Sequence, residues 1–132
     1  MKGRILIMDD EEIIRDIASQ MLRRLGYDVE LSEDGAEAAA AYKKAMNEGK
    51  RFDIVILDLQ VRKGMGGKDA MKELIKIDPD VKGIISSGYS NDPEMTDFEK
   101  YGFSGVVEKP YSIQELSRNL EKVMASFIED KK

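Results

Sequence analysis

The chain alternates short, mostly apolar runs with longer segments of helical spacing, and this alternation limits the possible folds more than any other feature. Four runs are Ile5 to Met8, Ile54 to Leu57, Lys82 to Ser86 and Gly105 to Val107. A fifth, Tyr27 to Leu31, alternates apolar with polar residues, which predicts a strand at an edge of the sheet. Strands separated by helices are typical of a parallel sheet covered on both faces. The sequence therefore predicts an α/β protein.

Five segments predict helices. The first precedes Gly26 and has a stripe at 3.6-residue spacing, made of Ile13, Ile14, Ile17, Ala18, Met21, Leu22 and Leu25. Others are predicted from Ala36 to Glu48, from Lys68 to Ile77, from Asn91-Asp92-Pro93-Glu94 onward, and from Ser112 onward. The last has a Ser112–Glu115 capping box and a core stripe of Ile113, Leu116, Leu120, Val123 and Phe127. Right-handed crossovers between five such units favour a doubly wound sheet, whose ligands bind at the carboxyl ends of the strands.

Size and composition set further limits. A chain of 132 residues predicts one domain over residues 1–132, with a disordered tail at 129–132. It contains neither cysteine nor histidine, which excludes disulfides, thiol nucleophiles, cysteine zinc sites and a histidine base. Any chemistry must therefore use carboxylates, hydroxyls and lysine.

The charge and the hydropathy of the chain limit its possible partners and its location in the cell. A balance of 21 basic and 26 acidic residues gives a formal charge of −5, which disfavours direct binding of nucleic acid. No apolar stretch approaches the roughly 20 residues that span a bilayer, and the first residues do not resemble a signal peptide. The sequence thus predicts a cytoplasmic domain without membrane insertion.

Chemically active side chains stand at the ends of four of the predicted strands. The first strand ends in Asp9-Asp10, the third in Asp58, the fourth in Ser86-Ser87-Gly88 and the fifth in Glu108-Lys109-Pro110. In a parallel sheet these positions lie along one edge. We therefore expect three carboxylates, two hydroxyls and an ammonium group to converge there.

Crowded carboxylates repel one another, and a hard divalent cation relieves that repulsion. Mg²⁺ prefers oxygen ligands and keeps several waters. We predict Asp10 and Asp58 as direct ligands, with Asp9 acting through a metal-bound water. Asp58 could then attack a phosphoryl donor in line, while Lys109, the Ser87 hydroxyl and main-chain NH groups near Gly88 stabilise the developing charge.

Each feature alone has a simpler explanation. Acidic residues from Asp9 to Glu12 favour the positive end of a helix, Asp58 could merely end a strand, and Lys109 could be an ordinary loop lysine. Gly64-Met65-Gly66-Gly67 is too weak a pattern for a phosphate loop, because no Gly-Lys-Ser/Thr follows, and we interpret it as a flexible turn. The coincidence of all strand ends favours a common site.

The ordered set Asp9-Asp10, Asp58, Ser87-Gly88 and Lys109-Pro110 resembles the receiver domains of two-component response regulators over nearly the whole chain. The resemblance implies a flavodoxin-like (βα)5 fold with strand order 2-1-3-4-5. It also implies Asp58 as phosphoacceptor, the Gln60 carbonyl as a further Mg²⁺ ligand, and a histidine kinase or histidine phosphotransfer domain as donor. The segments 57–61, 64–67 and 86–90 resemble most the receivers of hybrid sensor histidine kinases.

Two residues depart from that family pattern. Arg62 stands where such loops usually carry proline, which brings a cation within reach of the site. Val106 stands where many members carry a tyrosine or phenylalanine that takes part in switching.

Two other functions use similar residues. An aspartyl-phosphate phosphohydrolase would carry Asp-x-Asp after the first strand, and an FMN carrier would need a hydroxyl-rich phosphate loop there. The sequence has adjacent aspartates instead, so we keep the phosphohydrolase as the second hypothesis.

Overall fold

The computed structural model describes residues 2–130, with side chains through Ser126. Its elements, in chain order, are β1 (Arg4–Met8), α1 (Glu12–Arg24), β2 (Asp28–Ser32), α2 (Gly35–Asn47), β3 (Ile54–Asp58), α3 (Gly67–Ile77), β4 (Gly83–Ser87), α4 (Pro93–Thr96), a 3₁₀ turn (Phe98–Tyr101), β5 (Gly105–Glu108) and α5 (Ile113–Asp130). Within this part of the chain, no helix is long and apolar enough to cross a membrane.

All five strands are parallel and lie in the order β2-β1-β3-β4-β5. This confirms the predicted doubly wound α/β fold, and β2 is an edge strand as expected. The register pairs Met8 with Leu57, Asp58 with Ser86, and Ser87 with Glu108. The ends of β1, β3, β4 and β5 therefore meet at one edge of the sheet.

Alternate strand residues face two separate hydrophobic cores, one on each face of the sheet. Helices α1 and α5 cover one face, where the buried residues include Ile5, Ile7, Ala18, Leu22, Ile54, Ile56, Ile84, Leu116 and Leu120. Helices α2, α3 and α4 cover the other, with Leu6, Met8, Tyr42, Val55, Leu57, Met71, Leu74, Ile85 and Met95. Because helices bury both faces of the sheet, the central strands have near-continuous apolar runs.

The apolar stripe of α1 is only partly buried in the structure. Ala18 and Leu22 are buried, but Ile13 and Ile17 are 71% and 43% exposed. At about 100° per residue the seven stripe residues cover roughly half of the helix circumference. Ile13 and Ile17 lie at the margin farthest from Leu22, where the sheet does not cover the helix.

Three helix ends match signals in the sequence. Asp34 and Ser112 accept hydrogen bonds from the main-chain NH groups of Glu37 (2.9 Å) and Glu115 (3.1 Å). Gly26 follows α1 with a φ of +101°, a conformation that favours glycine.

The C-terminal end of the chain differs in part from expectation. Helix α5 continues to Asp130, two residues into the segment expected to be a disordered tail. Lys131, Lys132 and the side chain of Phe127 lie outside the described residues.

Helix α4 is much shorter than its neighbours. It begins at Pro93, as predicted, but ends after one turn at Thr96, and a single 3₁₀ turn follows. Met95 and Phe103 are buried in the core and hold this segment against the sheet.

A polar cluster around the buried Asp78 carboxylate lies at the opposite edge of the sheet from the predicted site. The Asp78 carboxylate is 5% exposed and accepts hydrogen bonds from the Tyr42 hydroxyl (2.6 Å), the Arg51 guanidinium (2.5 Å) and the Asp80 main-chain NH (3.0 Å). Burial alone would raise the pKa of Asp78, but these hydrogen bonds outweigh it and lower the pKa below its usual value. The cluster thus connects α2 to the segment between α3 and β4.

Asp78→Asn should lower the free energy of unfolding at pH 7 by about 1–3 kcal/mol, because the ionised carboxylate is the better acceptor. Since the folded-state pKa is depressed, this contribution is present above the unfolded-state pKa of about 3.9 and is lost as the pH falls below it. Denaturant unfolding at pH 7 and pH 3 measures both effects. The exposed Asp80→Asn is the control, and an equal loss in the two variants would contradict the prediction.

Candidate functional site

Three aspartates meet at the carboxyl edge of the sheet. Asp9 and Asp10 follow β1, and Asp58 is the last residue of β3. One carboxylate oxygen from each lies within 4.8 Å of those of the other two. Asp9 and Asp58 are buried, and Asp10 is half-buried. The predicted carboxylate cluster therefore exists.

Lys109 provides the positive charge of the cluster. Its Nζ lies 2.7 Å from Asp9 Oδ2 and 2.9 Å from Asp58 Oδ1. The Lys109 main-chain NH donates to the Ser87 carbonyl (2.9 Å), which fixes the loop after β5 on the end of β4. Burial would lower the pKa of Lys109, but the two carboxylates reverse this effect and raise it. Lys109 is therefore a fixed cation at neutral pH.

Asp58 retains one oxygen for chemistry. Burial raises the pKa of Asp58 to about 6, with Lys109 opposing the rise and the charge of Asp9 adding to it. Oδ1 contacts Lys109 and, at 3.4 Å, the main-chain NH of Gln60. Oδ2 is buried without a hydrogen-bond partner in the described part of the chain. A buried, unpartnered carboxylate oxygen is costly unless a cation or another group binds it.

Two glycines allow α3 to begin directly behind Asp58. A Cβ at Gly67 would lie 2.7 Å from the Asp58 carbonyl oxygen, and one at Gly66 would lie 2.7 Å from that of Leu59. The Gly64–Gly67 segment, which we interpreted as a flexible turn, thus has a more specific role. It permits close contact between the helix and the end of β3.

Ser87 is buried beside the cleft and is already hydrogen-bonded. Its Oγ accepts from the Tyr89 main-chain NH (3.0 Å) and donates to Asp92 Oδ2 at the long distance of 3.4 Å. The neighbouring Ser86 hydroxyl bonds to the Tyr111 hydroxyl at 2.7 Å. Burial raises the pKa of Tyr111 to about 12, so this phenol is neutral at physiological pH.

These residues surround an open cleft of about 500 Å³. It is lined by Asp10, Glu11, Asp58, Gln60, Arg62, Gly88, Tyr89 and Lys109. Its volume is large enough for a phosphoryl group and a hydrated cation, and Asp58 is one of its lining residues. All six predicted site residues, Asp9, Asp10, Asp58, Gln60, Ser87 and Lys109, lie in or directly beside it.

The donor set fits a hard divalent cation. It consists of three carboxylates, and the chain has no cysteine or histidine to offer a thiolate or an imidazole. The unpartnered Oδ2 of Asp58 supports the same conclusion, because a cation would satisfy it.

Sequence reasoning missed three contacts. The Glu11 main-chain NH donates to Asp9 Oδ1 (2.9 Å), and Tyr111 bonds to Ser86. The main-chain NH of Arg62 donates to Asp10 Oδ2 (3.0 Å), whereas the sequence indicates only a cationic side chain within reach of the site. A polar aromatic residue two positions after Lys109 was a usable signal for Tyr111. Main-chain donors leave no such signal.

Comparisons with known proteins agree with this geometry. The family model for the response regulator receiver domain matches residues 5–121. The chemotaxis protein CheY of Thermotoga maritima is 32% identical over 124 residues, which cover 93% of this chain and 98% of that protein. The sensor kinase CckA of Brucella abortus is 29% identical over 91% of this chain but only 12% of its own length. A CheY-like receiver domain structure from Methanospirillum hungatei has a TM-score of 0.81 at 26% identity, covering 96% of this chain and 98% of that one.

Proposed function

The chain belongs to the receiver-domain family of response regulators in two-component signalling, and we propose that Asp58 is its phosphoacceptor and Mg²⁺ its metal ion. We further propose that residues 1–132 form one receiver unit. The observation that carries the proposal is the state of the Asp58 carboxylate. One oxygen contacts Lys109, the other is buried without a hydrogen-bond partner among the described residues, and Asp58 lines the cleft.

The metal ligands we propose are Asp10, Asp58 and the Gln60 carbonyl, with Asp9 acting through a bound water. Mg²⁺ would supply charge neutralisation for the three carboxylates and for the incoming phosphoryl oxygens. In the absence of that charge, the crowded carboxylates repel a phosphoryl dianion.

The proposed donor is the phosphohistidine of a histidine kinase or histidine phosphotransfer domain. The P–N bond of the donor breaks, a P–O bond to Asp58 forms, and the imidazole nitrogen keeps the bonding electron pair and gains a proton. Lys109 already lies against Asp58 and would bind the transferred phosphoryl oxygens. The Ser87 hydroxyl would exchange its long bond to Asp92 for one to the phosphoryl group.

The finer assignment to the receivers of hybrid sensor kinases is also a proposal. It is supported by the segments 57–61 and 86–90 and by the 29% identity to CckA. We also propose that this signalling domain promotes only its own phosphorylation and dephosphorylation.

Acetyl phosphate with Mg²⁺ should add one phosphoryl group, about 80 Da, to the intact protein, and excess EDTA should prevent this. Intact mass spectrometry measures the gain. Asp10→Asn should reduce both Mg²⁺ affinity and the extent of phosphorylation, since it removes one ligand charge. Equal modification of wild-type protein with and without EDTA would contradict the proposed metal dependence.

Turnover of a phosphate ester, measured on the same protein, distinguishes the phosphoacceptor hypothesis from the phosphohydrolase hypothesis. A phosphoacceptor should take up about one equivalent and turn over a generic phosphate ester negligibly. Sustained, Mg²⁺-dependent release of phosphate from p-nitrophenyl phosphate would favour the hydrolase.

A further inference from the structure

Arg62 contacts the site through its main chain. Its NH donates to Asp10 Oδ2 at 3.0 Å, across 52 residues of sequence. In the part of the chain that the structure describes, this is the one hydrogen bond that the Asp10 carboxylate receives. The contact joins the β3–α3 loop to the start of α1.

A single NH on a carboxylate can orient it without occupying it. An ionised carboxylate has about four lone-pair positions, so one donor on Oδ2 leaves the others for a cation. A group that hydrogen-bonds a metal ligand without contacting the metal restricts the rotation that the ligand would otherwise lose on binding. Removal of such a group commonly lowers metal affinity by roughly 10–100-fold. Asp10 is half-buried, and burial alone does not fix its side chain.

We propose that Arg62 is a positioning residue whose main-chain NH orients Asp10 for Mg²⁺. This inference rests on the proposed function, because it takes Asp10 as a metal ligand. It adds that the β3–α3 loop and the cation stabilise each other through Asp10.

The side chain of Arg62 should act in the opposite direction. It is exposed and lines the same cleft, and it forms no ion pair with a described residue. A guanidinium there repels a cation, although solvent screens the effect. The main chain and side chain of one residue therefore have opposite effects on cation affinity.

Two substitutions separate these effects. Arg62→Ala removes the guanidinium and keeps the NH, whereas Arg62→Pro removes both. In Mg²⁺ titrations without any phosphoryl donor, followed by calorimetry or amide shifts, Arg62→Ala should bind up to about threefold more tightly than wild type. The Mg²⁺ affinity of Arg62→Pro should be lower than that of Arg62→Ala by a factor of about ten or more. Equal affinities of the two variants would overturn the inference.

Proline also fixes the backbone φ angle of residue 62, so a second measurement avoids this substitution. In the wild-type protein, the Arg62 amide should be protected from hydrogen exchange. Asp10→Ala should accelerate the exchange of this amide at least several-fold, while the exchange rates of distant core amides stay unchanged. Unchanged exchange would overturn the inference. A wild-type protein that fails to bind Mg²⁺ would overturn the proposed function together with it. If the wild-type protein binds Mg²⁺ and becomes phosphorylated, but Arg62→Ala and Arg62→Pro have equal Mg²⁺ affinities, only this inference would be overturned.

Discussion

Asp58→Asn should abolish the gain of 80 Da from acetyl phosphate and Mg²⁺, because the amide has no nucleophilic carboxylate oxygen. The same variant should be more stable than wild type in EDTA, by roughly 1–3 kcal/mol, since it removes one charge from a pair of buried carboxylates. Replacement of one Asp58 carboxylate oxygen by an amide group should thus abolish phosphorylation and increase stability.

Asp53→Asn is a suitable control. Asp53 precedes the same strand at its other end, and its Oδ2 accepts a hydrogen bond from the Arg4 main-chain NH (2.8 Å). This variant should keep the full mass gain and lose some stability. An acid-labile 80 Da adduct on Asp58→Asn would show that another residue is the phosphoacceptor.

Lys109→Met should have the second large effect, because it leaves Asp9 and Asp58 buried without their shared cation. Removal of one partner from a buried ion pair typically costs about 3–5 kcal/mol. Mg²⁺ should restore much of this loss, so the metal should raise the melting temperature more in Lys109→Met than in wild type. Mg²⁺ affinity should be unchanged or higher, since a neighbouring positive charge has gone.

The response to phosphorylation should be lost in the same variant. A beryllofluoride adduct, which imitates phosphoaspartate, should shift amides around Ser87 in wild type and much less in Lys109→Met. Lys63→Met makes the same charge change at an exposed loop position and should behave like wild type. An adduct response in Lys109→Met equal to that of wild type would remove Lys109 from the phosphoryl-binding role.

The sheet and most of the site could be predicted from the sequence because both depend on short-range patterns. Apolar runs define the strands, and a parallel sheet brings their carboxyl ends together whatever the loops do. Asp9, Asp10, Asp58 and Lys109 were therefore predictable as a group before any distance was known.

The contacts that were missed depend on loop paths and on partial burial. A main-chain NH exists at Arg62 whatever its side chain is, so the sequence carries no mark of its bond to Asp10. Ile13 and Ile17 are apolar, but how far a sheet extends under a helix is a tertiary property. The end of α4 was equally unpredictable, because no glycine or proline separates Thr96 from Phe98.

The single turn of α4 is no more than a helix nucleus, and such a nucleus is unstable on its own. Its main-chain bonds end at the carbonyls of Asp92 and Pro93, and isolated helices under about 12 residues are marginal in water. Its order is therefore supplied by the burial of Met95 and by the loop that begins at Ser87. A displacement of that loop would change the number of helical residues in this segment rather than move a rigid rod. Because Val106 offers no ring to rotate, we expect a change that phosphorylation causes in the loop after Ser87 to alter the helical content of residues 93–101.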